Sequence, residues 1–139
     1  MVGAFNGGVV RPVSNYPADS VEYSIYFLSA GEVPAQNVWV CDLIPENTTF
    51  VPDAYASGPP ADPAADQTNL LGLALDFNGS ERSLTGADDG DIGYYLAPGV
   101  DPTTQFPDVT CDGPNTTGAI VLDLGNLPQA TGVGTPLNA

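Results

Sequence analysis

The chain has 139 residues and 42% hydrophobic side chains, enough for one compact domain and too apolar for a disordered acidic tail. Sixteen Gly and fourteen Pro exclude a helical bundle, because interior Pro breaks helices and Gly weakens them, and they point to an all-β, loop-rich fold. Seventeen acidic residues against two basic ones, Arg11 and Arg82, give a net charge of -15 with no Lys and no His. That charge argues against nucleic acid and anionic membrane as partners, and the missing His and Lys remove most apparatus for nucleophilic, zinc or proton-shuttling catalysis.

In chain order, residues 21–28 place Val21, Tyr23, Ile25 and Phe27 on one face at period two and predict the first strand. After a turn at residues 29–32, residues 37–42 predict a second strand, with Val38 and Val40 on one side and Trp39 and Cys41 on the other. The two read as a hairpin. Pro45 ends the second strand, and residues 48–51 predict a third short one. Residues 58–67 form a stiff polar connector rich in Pro and Asp, and residues 70–77 are apolar enough for another strand. Residues 86–93 are acidic turn material, Tyr94, Tyr95 and Leu96 predict a short strand, and residues 97–118 form a long Pro, Asp and Thr loop carrying Cys111. Residues 118–124 predict the last strand, followed by a Gly and Pro tail. No stretch approaches the 18 apolar residues of a membrane span, and residues 1–8 lack the basic and apolar regions of a secretory signal.

Cys41 and Cys111 fit either two thiols in a reducing compartment or one disulfide in an oxidising one. The absence of Lys, the abundance of Thr, Gly and Pro, and three glycosylation-like tripeptides at Asn47, Asn78 and Asn115 favour an extracellular or cell-surface location and suggest exposed loops. The carboxylates Asp88, Asp89 and Asp91 around Gly90 offer hard oxygens suited to calcium, with Asp101, Asp108 and Asp112 able to join if the loop folds back. The spacing is not that of an EF-hand, and a solvated acidic turn is the simpler reading of the cluster. Asp42 with Glu46 or Asp53 is the most obvious carboxylate pair for an enzyme. Trp39, Tyr94 and Tyr95 could form a glycan or partner surface, or pack beneath the long loop. Arg82 is expected to pair with a nearby carboxylate.

Three segments, Asp19-Ser-Val-Glu-Tyr-Ser-Ile-Tyr-Phe-Leu-Ser-Ala-Gly, Ala35-Gln-Asn-Val-Trp-Val-Cys-Asp-Leu-Ile-Pro and Thr49-Phe-Val, resemble the conserved-repeat domain of bacterial, especially cyanobacterial, cell-surface proteins. Tyr23, Gly31, Ala35, Asn37, Val38, Asp42, Pro45 and Phe50 follow that family's order across about the first 55 residues, with Ser29 where Asn is usual. Residues 122–128 resemble its end region. The resemblance implies an immunoglobulin-like β-sandwich spanning residues 1–139, with residues 58–118 as a loop-rich insertion and the final strand missing or supplied by another chain. It implies no catalytic residues and places Asp42 at a structural corner. A non-catalytic surface, matrix or filament module is therefore expected, paired with copies of itself or with neighbouring domains, with a calcium-dependent or glycan-binding adhesion module as the alternative. In such a sandwich Val21, Tyr23, Ile25, Phe27, Val38 and Val40 would face the inter-sheet core. Tyr26, Leu28, Trp39 and Cys41 would then need cover, which a Cys41–Cys111 disulfide could hold in place; two separate buried thiols are the alternative.

Overall fold

The structure is a computed structural model that describes residues 2–5, 20–65, 71–77 and 79–130. It contains seven strands and one helical turn: β1 (Val2–Phe5), β2 (Tyr26–Ser29), β3 (Ala35–Leu43), β4 (Leu71–Phe77), β5 (Ser80–Thr85), β6 (Gly93–Leu96), α1 (Pro102–Gln105) and β7 (Ala119–Leu127). The strands form three small antiparallel sheets, β1-β2, β3-β7-β6 and β4-β5. The chain is all-β, as composition required.

The centre is the three-stranded sheet, whose middle strand β7 is the apolar run Ala119-Ile-Val-Leu. Its register sets Cys41 opposite Val121 and Leu43 opposite Ala119 on one side, and Tyr94 opposite Val121 and Leu96 opposite Ala119 on the other. Side chains opposite one another in a ladder share a face, so Trp39, Cys41, Leu43, Tyr94, Leu96, Ala119 and Val121 stand together. Val121 and Ala119 are fully buried there. A bulge interrupts β3 near Asn37, which takes a left-handed φ of 51° while its amide donates to Asn126 Oδ1 at 3.1 Å.

The β4-β5 hairpin lies against the other face of β6. A side chain at Gly93 would meet the Thr85 carbonyl at 2.9 Å and the Leu84 Cβ at 3.1 Å, so the close approach requires Gly. Tyr95 on that face stacks on Phe50, with centroids 4.6 Å apart and planes 19° apart. The expected connector borders β5: Ser83 N donates to the Pro60 carbonyl at 2.8 Å, Asp62 N to the Ser83 carbonyl at 2.9 Å, and Ala61 bridges Ser83 in parallel. The Arg82 guanidinium clamps this border through Asp62 Oδ2 at 2.7 Å. Burial opposes ionisation of Asp62, but the Ala64 amide and Arg82 outweigh it and hold the carboxyl below its ordinary value.

Several expectations are corrected. The first strand begins at Tyr26 rather than Val21 and pairs with β1, and β3 pairs with β7 instead of closing a hairpin on residues 21–28. The nine-residue β7 offers β3 a longer apolar ladder than a local turn could. Val21, Tyr23 and Ile25, expected in the core, are exposed, and Val38 and Val40 are only half-buried; the densest core lies on the opposite face, at Trp39 and Cys41. Residues 48–51 form no strand, since Phe50 is used as a packing ring rather than a ladder residue. Residues 58–118 supply β4, β5, β6 and α1.

Two outcomes follow from this packing. Gly93→Ala is expected to cost about 1–3 kcal/mol, read by thermal or denaturant unfolding, because the new methyl meets backbone that cannot yield. Asp42, on the Val40 face of β3, is pushed above its ordinary carboxylate value by burial. A folded pKa above the unfolded one means stability present in acid and lost as pH rises through the folded value. Asp42→Asn should therefore raise the melting temperature at neutral pH and leave it unchanged well below the carboxylate range.

Candidate functional site

The most elaborated region is the 97–118 loop over the Trp39 face. Asp101 starts it, with Oδ1 accepting from Thr103 N at 2.9 Å and from Thr103 Oγ1 at 2.7 Å, and Pro102 occupies the first helical position. Both Thr103 bonds favour the ionised form and hold the Asp101 carboxyl below its ordinary value. The single turn of α1 then delivers Phe106 to the sheet, where it lies 5.1 Å from the Trp39 ring and 4.6 Å from the Tyr94 ring, tilted against both. Phe106 and Val109 are buried with Leu96, Ala119 and Val121. Four residues past α1's end, the chain reaches Val109, and Cys111 closes the cover with a disulfide to Cys41, Cα atoms 5.1 Å apart.

Asn115 ties the loop's return. Its Nδ2 donates to the Ala97 and Val100 carbonyls, each at 2.9 Å, and its Oδ1 accepts from Gly118 N at 2.8 Å. Gly118 itself needs its left-handed φ of 114° to turn the chain into β7, and its carbonyl accepts from Ile44 N at 2.9 Å. Thr117 Oγ1 donates to the Ile44 carbonyl. Between the two limbs of the loop runs an open groove of about 550 Å³, lined by Val100, Asp101, Thr103, Thr110, Cys111 and Thr116 among others. Among the described residues no aromatic ring and no cation lines it.

The acidic residues are used locally. Asp91 is 3% exposed, and its two oxygens accept from Thr85 N at 2.8 Å and Gly93 N at 2.7 Å. Burial pushes its carboxyl up despite those amides, with Asp89 and Asp62 adding to the rise. Asp89 Oδ2 accepts from Thr85 Oγ1 at 2.7 Å, and Asp88 is exposed. Asp62, Asp89, Asp91, Asp101 and Asp123 each accept from the amide two residues on, an Asx turn repeated five times. Among the described residues no three His, Cys, Asp or Glu side chains group as metal ligands. Asp108 and Asp112 are exposed in the loop. Asp42 is part of β3 rather than a turn acceptor, and among the described residues nothing donates a hydrogen bond to its carboxylate.

The other expected positions separate. Trp39 and Tyr94 are half-buried walls of the core, and Tyr95 packs on the opposite face with Phe50. Burial raises the Tyr94 hydroxyl, with Asp88, Asp123, Asp91 and Asp89 contributing further. Asn47 is exposed in a turn with a left-handed φ of 64°, whereas Asn115 is only 7% exposed and its amide is fully committed, which corrects its placement on an exposed loop. A glycan on Nδ2 would displace one of its two donated bonds. Asn78 lies outside the described residues. Sequence reasoning missed Phe106, Val109 and the structural use of Asn115; the Asp-Pro-Thr start of α1 was the available signal for the first.

Comparison of the chain with protein-family models, with curated proteins and with solved structures found no match.

Asn115→Ala would leave the Val100 carbonyl and the Gly118 amide without partners and the Ala97 carbonyl with only the Val100 amide, at a cost of about 3 kcal/mol in unfolding free energy. Asn115→Asp should be at least as damaging, because it sets carboxylate oxygen against the Ala97 and Val100 carbonyls. Equal stability of either variant and the parent would contradict the loop's proposed anchor.

Proposed function

We propose that this chain is a non-catalytic extracellular structural module, a component of a cell surface, matrix or filament, built on an immunoglobulin-like plan with sheets completed by a neighbouring copy or domain. The observation that carries the reading is the Cys41–Cys111 disulfide, which fastens the 97–118 loop to the central sheet. Disulfides persist in oxidising compartments and are rare in the reducing cytosol. Two further features support it. Several acidic side chains that could serve as general acids, bases or ligands are spent on holding turns, as at Asp62, Asp91 and Asp101. Among the described residues the groove in the loop is lined by hydroxyls, prolines and a carboxylate already engaged by Thr103. The resemblance of residues 19–51 to the conserved-repeat domain of bacterial surface proteins points the same way. Trp39 and Tyr94, tilted against Phe106, favour a structural use of these rings over a glycan-stacking one.

Intact cells alkylated before lysis provide the test. The protein should be recovered in the surface or extracellular fraction, unalkylated and two hydrogens lighter than after reduction. Recovery from the cytosol with alkylated Cys41 and Cys111 would overturn the proposal. The double variant Cys41→Ser with Cys111→Ser should lose about 4 kcal/mol of stability, since the bond closes a loop spanning a sequence separation of 70 residues.

A further inference from the structure

The disulfide that fastens the 97–118 loop is reached differently from its two ends. Residues 99–116 wall the groove of about 550 Å³ between the loop's limbs, a volume that admits a small molecule, and half-buried Cys111 is part of that wall. Cys41 is not: it stands in β3 opposite Val121, packed against the buried core under the loop. The surroundings of the groove carry charge of one sign. Asp101 lies on its wall, with its carboxylate held by the Thr103 amide and hydroxyl. The lining stretch Val109-Thr110-Cys111 runs between Asp108 and Asp112, both exposed. Arg82, the only cationic side chain among the described residues, is engaged elsewhere, 2.7 Å from Asp62.

We infer that Cys111 is a site of reversible S-thiolation, reached through the groove by small thiols that bring no anionic group besides the reacting sulfur. The incoming thiolate attacks Cys111 Sγ. A bond forms between those two sulfurs, the Cys41–Cys111 bond breaks, and its electron pair leaves on Cys41 Sγ, which then takes a proton from water. The products are a mixed disulfide on Cys111 and a thiol on Cys41; one disulfide replaces another, so no further oxidant or reductant is consumed. Attack on Cys41 would give the opposite pair, but that residue is reached only once the loop has lifted. The ladder with β7 keeps Cys41 in place under the loop, so its thiolate can attack Cys111 Sγ in turn, expel the small thiol and restore the cover. Selectivity follows from charge. A carboxylate carried by the thiol is repelled by Asp101, Asp108 and Asp112 in a chain of net charge -15, whereas an ammonium is drawn to them.

The purified, oxidised protein provides the test, with three thiols of similar size: cysteamine, 2-mercaptoethanol and 3-mercaptopropionate. Each rate is divided by that thiol's rate on a small uncharged disulfide, which removes its own reactivity. Early samples quenched in acid with N-ethylmaleimide and mapped by mass should carry the thiol on Cys111 and the maleimide on Cys41. The relative rates should fall from cysteamine through 2-mercaptoethanol to 3-mercaptopropionate, by about tenfold from first to last at low salt, and converge at about 1 M salt, where charges are screened beyond about 3 Å. Thr116→Tyr, at an exposed position on the groove wall, should slow all three thiols several-fold. The thiol appearing first on Cys41, rates indifferent to the thiol's charge, or a Thr116→Tyr protein that exchanges as fast as the parent would each overturn the inference, the last because attack would then await opening of the whole loop. The inference uses the disulfide on which the module reading rests, but not the chain's location. Recovery from the cytosol would end that reading and leave these rates unchanged, while a failed rate test would leave the surface location standing.

Discussion

The structure depends on covering one face of one sheet. Trp39, Cys41 and Leu43 from β3, Ala119 and Val121 from β7, and Tyr94 and Leu96 from β6 are brought side by side by the register, and among the described residues a loop rather than a second sheet packs on them. Left to solvent, that surface would be an aggregation site. The 97–118 loop covers it with two apolar side chains, Phe106 and Val109, which is a small hydrophobic contribution for the backbone entropy of ordering so long a loop. The disulfide to Cys41 supplies what packing alone does not, by restricting the same loop in the unfolded chain. Asn115 and the Asp101 cap then fix the loop's two limbs so that Phe106 arrives between Trp39 and Tyr94.

Aspartate takes the part that regular structure plays in larger domains. With short strands and many turns, backbone amides outnumber the ladder acceptors available to them, and each buried one needs a partner. Asp62, Asp91, Asp101 and Asp123 provide it from two residues upstream. This gives a structural use to a minority of the seventeen acidic residues without invoking a ligand. The charge opposes compaction and falls unevenly on pH: Asp62 contributes stability that is lost as pH falls, while Asp42 and Asp91, with raised values, weaken the fold as pH rises.

What could be read from the sequence was local. Composition gave the all-β class, the alternation in residues 37–42 and the apolar run in residues 118–124 gave β3 and β7, and the opposite faces of β3 raised the need for cover over Trp39 and Cys41. The pairing of strands was not legible, because β3 joins β7 across more than seventy residues and no local turn signals that choice. The apolar alternation at Val21, Tyr23 and Ile25 misled for a related reason: periodicity reports a strand that seeks a partner, not a partner within the same chain. Asp88, Asp89 and Asp91 looked alike in sequence, yet Asp91 is buried and Asp88 exposed, a difference set by the approach of Thr85 and Gly93. Asn115 matched a surface motif while its neighbours in space, Ala97 and Val100, lie well upstream.

Trp39 is the only tryptophan in the chain and sits beneath the stapled loop, so it reports on the cover directly. The most direct measurement is acrylamide quenching and emission wavelength of Trp39 in native buffer, before and after reduction of Cys41–Cys111. The account predicts weak quenching and blue-shifted emission in the oxidised protein, and a marked gain in quenching with a red shift on reduction as Phe106 leaves the ring. Emission and quenching unchanged by reduction would show that the disulfide does not hold the loop over the sheet, and would contradict the account at its centre.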